Sequence, residues 1–167
     1  RLIYYLTCSD FLGSLVTLVQ SLLLAYIDSE KCGVIGALKI FFFLMSAFWT
    51  CSLCFCLVAS LVNNNQKIER YERVIGFISI VIPLAASVVP FALGAFRMNS
   101  QEEICWITTD SALETTVLRV VCFYGILWVI VIYNIISITR VGLFVREHAE
   151  SIPYLRKWKL FYFYPLI

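Results

Sequence analysis

Three ionisable side chains, Asp10, Lys39 and Arg119, stand inside long apolar runs. A charge at bilayer depth is costly and is usually kept for a site, a pathway or a helix-to-helix contact. Asp10 lies about 12 Å along its segment from the nearer end, at about 1.5 Å per residue of helix. Its short side chain does not reach water from there, so it reads as a buried polar node coupling helices. Asn134, on a later apolar run, is a second candidate for such a node. Lys39 and Arg119 lie one to two turns from the ends of their runs. Either can hold an anionic ligand group, and either can equally snorkel to the headgroups, as long cationic chains near helix ends do. No phosphate-cradling glycine loop, HExxH or Ser–His–Asp arrangement accompanies them, and the single histidine, His148, has no metal-ligand spacing to the 7 cysteines. Nothing points to an enzyme or to a cofactor.

The elements that carry these residues are membrane spans. Of 167 residues, 61% are hydrophobic and only 14% charged, more apolar surface than a soluble domain of this size can hide. The net charge of +2 gives no argument for nucleic acid. Apolar runs cover residues 2–26, 33–62, 74–96 and 115–139, and a further one starts at 160; about 20 residues suffice to cross a bilayer. The fold class is therefore all-α, a polytopic transmembrane helix bundle. Its central helix is the Cys32–Asn65 stretch, where Lys39, Ser46 and Thr50 form one polar stripe on an otherwise apolar helix. On the first run, Asp10, Ser14, Thr17 and Ser21 fall within about 40° of one face. Pro83 and Pro90 sit in the third run and are expected to kink it. Both ends of the chain fall inside apolar runs, as expected of a fragment.

Orientation follows from the basic residues. The connector at 63–73 carries Lys67, Arg70 and Arg73, and that at 140–159 carries Arg140, Arg146, Arg156, Lys157 and Lys159. The intervening loops, 27–31 and 97–114, carry Lys31 and Arg97, the second against Glu102, Glu103, Asp110 and Glu114. Positive residues mark the cytoplasmic side, so loops 27–31 and 97–114 are expected outside the cell. Cys32 and Cys105 then share the oxidising side, where a disulfide would tie the outer loop over the bundle; two unpaired thiols are the alternative. Trp106 is either an interfacial tryptophan or a residue held over the bundle mouth. Cys8, Cys51, Cys54, Cys56 and Cys122 read as small packing residues.

The order of helix, outer-end cysteine, long helix and outer-loop cysteine resembles a seven-helix G protein-coupled receptor from its second helix to the start of its sixth. Within that superfamily the chain looks most like the cyclic AMP receptor-like group. The carrying residues are Cys8-Ser9-Asp10, Phe48-Trp49-Thr50, Ile82-Pro83-Leu84, Cys105-Trp106-Ile107, and Arg119 followed by Phe123-Tyr124-Gly125. The rhodopsin-type Asp-Arg-Tyr is absent, and Val62-Asn63-Asn64-Asn65 stands in its place. The resemblance strengthens the Cys32–Cys105 pairing and moves Trp106 and Arg119 towards a ligand role. It adds nothing for Lys39. It implies a plasma-membrane receptor that binds an extracellular ligand, to which Lys39 and Arg119 would lend an anionic preference. It also implies a heterotrimeric G protein partner facing Lys67, Arg70, Arg73, Arg140 and Arg146. The positive-inside rule explains those charges equally well without any partner. The runner-up is a transporter or channel with Asp10, Lys39 and Arg119 along its path; no internal repeat supports it.

Overall fold

The computed structural model describes residues 2–23, 29–62, 69–99 and 104–148. Four stretches among them are long and apolar enough to cross a membrane, and the architecture is the expected all-α polytopic bundle. In chain order the elements are α1 (Leu2–Leu23), α2 (Ser29–Leu57) with a π turn at Val58–Val62, and α3 (Glu69–Ala92). There follow β1 (Phe96–Asn99), β2 (Ile104–Ile107), α4 (Ala112–Arg119), a second π turn (Val120–Tyr124) and α5 (Gly125–His148). The helices are greasy almost all round, with Ile3, Phe11, Leu18, Phe77, Trp128, Val129 and Ile135 turned outward. That suits a hydrocarbon solvent, in which a helix satisfies its own backbone. Thr7, Thr17, Ser21, Thr50, Ser52 and Thr139 each donate to the carbonyl four residues back, so their hydroxyl protons need no outside acceptor.

Helix directions follow from the contacts. Tyr5 stacks on Trp49 with ring centroids 4.9 Å apart, Asp10 meets Ser46, and a Cβ on Gly13 would touch that of Phe42. Rising numbers on α1 meet falling numbers on α2, so the two are antiparallel. Phe91 lies beside Gly33 and Tyr71 beside Phe55, which makes α3 antiparallel to α2 as well. The buried Ser52 and Ser79 hydroxyls, 3.4 Å apart, link the same pair. Phe43 faces Phe123 while the Val58–Val62 turn packs lower on α5, so α5 runs parallel to α2. Every other long helix and both strands pack against α2.

The core sits at the Cys32 end, where Ile40, Leu44, Ala86, Ala95, Phe96, Ile107, Cys122 and Phe123 form one buried cluster. The chain enters it by a sharp stop of α3. Gly94 has φ +60°, the Ala95 N–H donates to the Pro90 carbonyl at 2.9 Å and the Gly94 N–H to Phe91 at 3.0 Å. That pair of bonds with a left-handed glycine is the Schellman helix end. It aims Phe96 at α2, where Gly36 leaves room: a Cβ on Gly36 would lie 2.5 Å from the Phe96 ring.

Several boundaries differ from those read in the sequence. The outer loop 97–114 contains an antiparallel pair, β1 with β2, in the register Phe96↔Ile107, Arg97↔Trp106 and Met98↔Cys105. Alternation is the reason: Cys105 and Ile107 are buried on one side, Ile104 and Trp106 half-buried on the other. The third helix continues through Pro83 and Pro90, both fully buried. The last helix begins at Ala112, because Ser111 caps it by accepting from the Glu114 N–H at 3.5 Å. It then runs on to His148, so Arg140 and Arg146 lie on a helix and not in a connector. No proline interrupts residues 125–148, and Arg146 and His148 in its last turn complement the helix dipole. The α4–α5 rod has 37 residues, about 55 Å at 1.5 Å each, and overshoots a hydrocarbon core of about 30 Å. Lys67, Arg156, Lys157, Lys159 and the apolar run from 160 lie outside the described residues.

Candidate functional site

Cys32 opens α2 and Cys105 sits mid-β2, and the structure joins them in a disulfide with Cα atoms 5.2 Å apart. Both are fully buried. The bond pins the hairpin against the first turn of α2. A second attachment comes from α4: the Arg119 Nε donates to the Ile107 carbonyl at 2.7 Å and its Nη2 to the Thr108 hydroxyl at 3.3 Å. The Thr109 N–H donates to the Thr115 hydroxyl at 2.8 Å. On the outside, Arg97 grips Asp110 with two hydrogen bonds, the Nη2–Oδ2 one at 3.0 Å. The Arg97 guanidinium, through those bonds and its charge, holds the Asp110 carboxyl below its ordinary range. Disulfide, arginine clamp and ion pair together leave the hairpin with a fixed lower face.

That face roofs a cavity of about 310 Å³ lined by Lys39, Phe43, Ile104, Trp106, Phe123 and Tyr124. Trp106 stands edge-on to Phe123 with centroids 5.1 Å apart. The lining is an ammonium among aromatic faces, a setting for an anionic group carried on an apolar body. Below it lies a larger cavity of about 620 Å³, lined by Ser9, Asp10, Gly13, Ser14, Thr17, Lys39, Phe42, Phe43, Ser46, Ala47 and Leu127. Lys39 and Phe43 belong to both. At the far end of the larger cavity, the Ser46 hydroxyl donates to the Asp10 carboxylate across the α1–α2 seam.

The residues singled out in the sequence therefore divide. Lys39 and Trp106 come together at the upper cavity. Arg119 lines neither cavity; its guanidinium donates instead to the Ile107 carbonyl and the Thr108 hydroxyl. Asp10 joins α1 to α2 through Ser46, but it is exposed and not buried as expected, because nothing among the described residues packs over that part of the seam. Asn134 is not its partner, and the Asn134 Oδ1 is buried without a hydrogen bond, as is Oε1 of Gln20. Arg73, Arg140 and Arg146 are exposed at the end remote from the hairpin, and Arg70 falls in the first turn of α3. Phe43 and Tyr124 were not distinguished in the sequence as cavity residues. In an apolar span an aromatic at helical spacing looks the same whether it faces lipid, packs or lines a cavity, and both are exposed on the bundle, so no signal separates them.

The π turn Val120–Tyr124 helps to set this lining, because Phe123 and Tyr124 close it and both reach the cavity. Gly125 permits the turn: a Cβ there would lie 2.7 Å from the Val120 carbonyl oxygen. Such turns recur at functional sites.

No family model matches the chain. Over 134 residues, 80% of its length, it is 25% identical to "G-protein coupled receptor 1" of Arabidopsis thaliana. The match spans 39% of that relative's length. At the level this supports, the chain has the spans of a multi-pass membrane protein and is similar to a protein named as a receptor.

Proposed function

We propose that the chain is the stretch from second helix to start of sixth of a seven-helix G protein-coupled receptor of the cyclic AMP receptor-like kind, lying in the plasma membrane. The hairpin end faces outward, and 63–73 and 140–159 face the cytoplasm. An extracellular ligand with an anionic group enters beneath the hairpin, its charge on the Lys39 ammonium and its body against Trp106. Arg119 acts one step away by holding the strand that carries Trp106. Ligand selects one of two bundle packings, and the remote end, with Lys67, Arg70, Arg73, Arg140 and Arg146, presents the corresponding surface to a heterotrimeric G protein. One observation carries this reading: a hairpin anchored by a disulfide over a cavity that holds a lone lysine among aromatic rings. The distant likeness to the plant receptor supports it.

The test is nucleotide exchange on purified heterotrimeric G proteins by the full-length protein, screened against small organic anions. Exchange stimulated by a compound, and weakened at least tenfold in potency by Lys39→Met, is the expected result. A substrate flux across vesicles abolished by Asp10→Asn, with no exchange on any G protein, would replace the receptor by a transporter.

A further inference from the structure

Lys39 has a feature that ligand binding alone does not use: it borders both cavities. Among the described residues no carboxylate forms an ion pair with it. Of the residues lining the two cavities, Asp10 is the one carboxylate and Lys39 the one cation. Their levels can be read from the helices. Lys39 and Ser46 are seven residues apart on α2, two turns or about 10.5 Å, and about 20° apart in rotation. Asp10 meets Ser46 at one level, and Thr17, seven residues along α1, stands two turns above it. The larger cavity is thus a shaft two turns long, with the carboxylate at its floor, the ammonium at its top and Ser14 and Thr17 on its wall.

We infer that Asp10 is the internal counter-ion of Lys39 and competes with a bound anion for its ammonium. The inference rests on the reading of the upper cavity as the ligand site. On the bundle Asp10 is exposed and Lys39 half-buried, but at bilayer depth an uncompensated charge is unfavourable, so a cation and an anion on one water-sized shaft compensate each other. A four-carbon stem and one or two bridging waters span the remaining gap. With the upper cavity empty, Lys39 turns down its shaft and ties α1 to α2 through Asp10. An anion beneath Trp106 draws it up, the direction in which a helical side chain leans, towards the N-terminus of its helix. Asp10 is then left with Ser46 alone, and the α1–α2 seam loosens. The binding event and the packing change are one charge exchange.

The experiment is a thermal-unfolding cycle on the full-length protein in detergent, comparing Lys39→Met, Asp10→Asn and the double variant. Each single variant strands the opposite charge and is expected to lower Tm, and the double variant to recover most of that loss. Losses that simply add overturn the inference. Where a single variant yields no folded protein, the exchanged pair Asp10→Lys with Lys39→Asp decides: folded protein upholds the pairing, and none overturns it. In a second arm, inorganic phosphate is titrated as the anion probe. It should raise the Tm of Asp10→Asn at about tenfold lower concentration than that of the native protein. Equal concentrations, or no response in either, overturn the competition. The cycle needs neither agonist nor G protein, so its failure is distinct from failure of the receptor reading, which the exchange assay tests.

Discussion

At the scale of single residues, the chain is most exacting where the hairpin meets the helices. Gly36→Ala would put a methyl into the Phe96 ring, and overpacking of this kind costs about 1–3 kcal/mol; a lowered Tm in detergent is the expected reading. Because Cys32 and Cys105 are fully buried, a reductant reaches their bond only when the hairpin opens, so its reduction rate measures that opening. Arg119→Met should speed reduction by a phosphine about tenfold, the equivalent of a charged hydrogen bond worth roughly 1.5–3 kcal/mol partly lost. Arg119→Lys should recover little, because a single ammonium cannot copy the fork on Ile107 and Thr108. The Arg97–Asp110 pair gives the same assay a pH signature. Asp110 titrates below its ordinary value when folded, so its contribution is present above the ordinary carboxylate range, near about 4. It is lost as pH falls through the lowered value. Native protein and Arg97→Met should therefore differ near neutrality and converge in strong acid. What the sequence could say at this scale was which residues were chemically out of place: Asp10, Lys39 and Arg119. It could not say that Arg119 points at a backbone carbonyl and Lys39 at a cavity. Both are long cations near the end of an apolar run, and only the fold of an intervening strand separates them.

At the scale of elements, the long helices were legible because an apolar run of membrane length has few other fates. The hairpin was not, although Phe96-Arg97-Met98-Asn99 alternates and Ile104-Cys105-Trp106-Ile107 is rich in strand formers. A charged stretch between two spans reads as loop, and four residues of alternation on each side are too short to overrule that. Ser111-Ala112-Leu113-Glu114 has the spacing of a capping box and marks where the last helix starts; the apolar count alone began it later. The disulfide spans a separation of 73 residues, and closing a loop of that length contributes about 4 kcal/mol in the chain-entropy account. Cys32→Ser with Cys105→Ser should lower Tm accordingly, and loss of the hairpin's order should accompany it, seen as faster hydrogen exchange at 104–107. Gly125→Ala should force the second π turn to rearrange, since its methyl meets the Val120 oxygen. A drop of about 1–3 kcal/mol in stability is expected.

At the scale of the whole molecule, α2 is the axis, antiparallel to α1 and α3 and parallel to α5, with the hairpin fastened over its first turns. Orientation in the cell can be checked directly. After reduction, a membrane-impermeant thiol reagent applied to intact cells should label Cys32 and Cys105, whereas Arg146→Cys should be labelled only after permeabilisation. The reverse pattern would invert the proposed topology. The π turn at Val120–Tyr124 also governs how the two ends of the last helix are phased. It absorbs one residue more than an α-helical turn, so the stretch from Gly125 to His148 keeps the phase of a helix one residue shorter. If the turn relaxed to α geometry with the chain intact, everything below it would advance like a screw by about 100° and 1.5 Å. Ile130 and Ser137, now buried, would swing from the seam, and the exposed Arg140 and Arg146 would point elsewhere around the axis. The aromatic pair at the cavity and the directions of the arginines at the far end are two readings of a single helical phase.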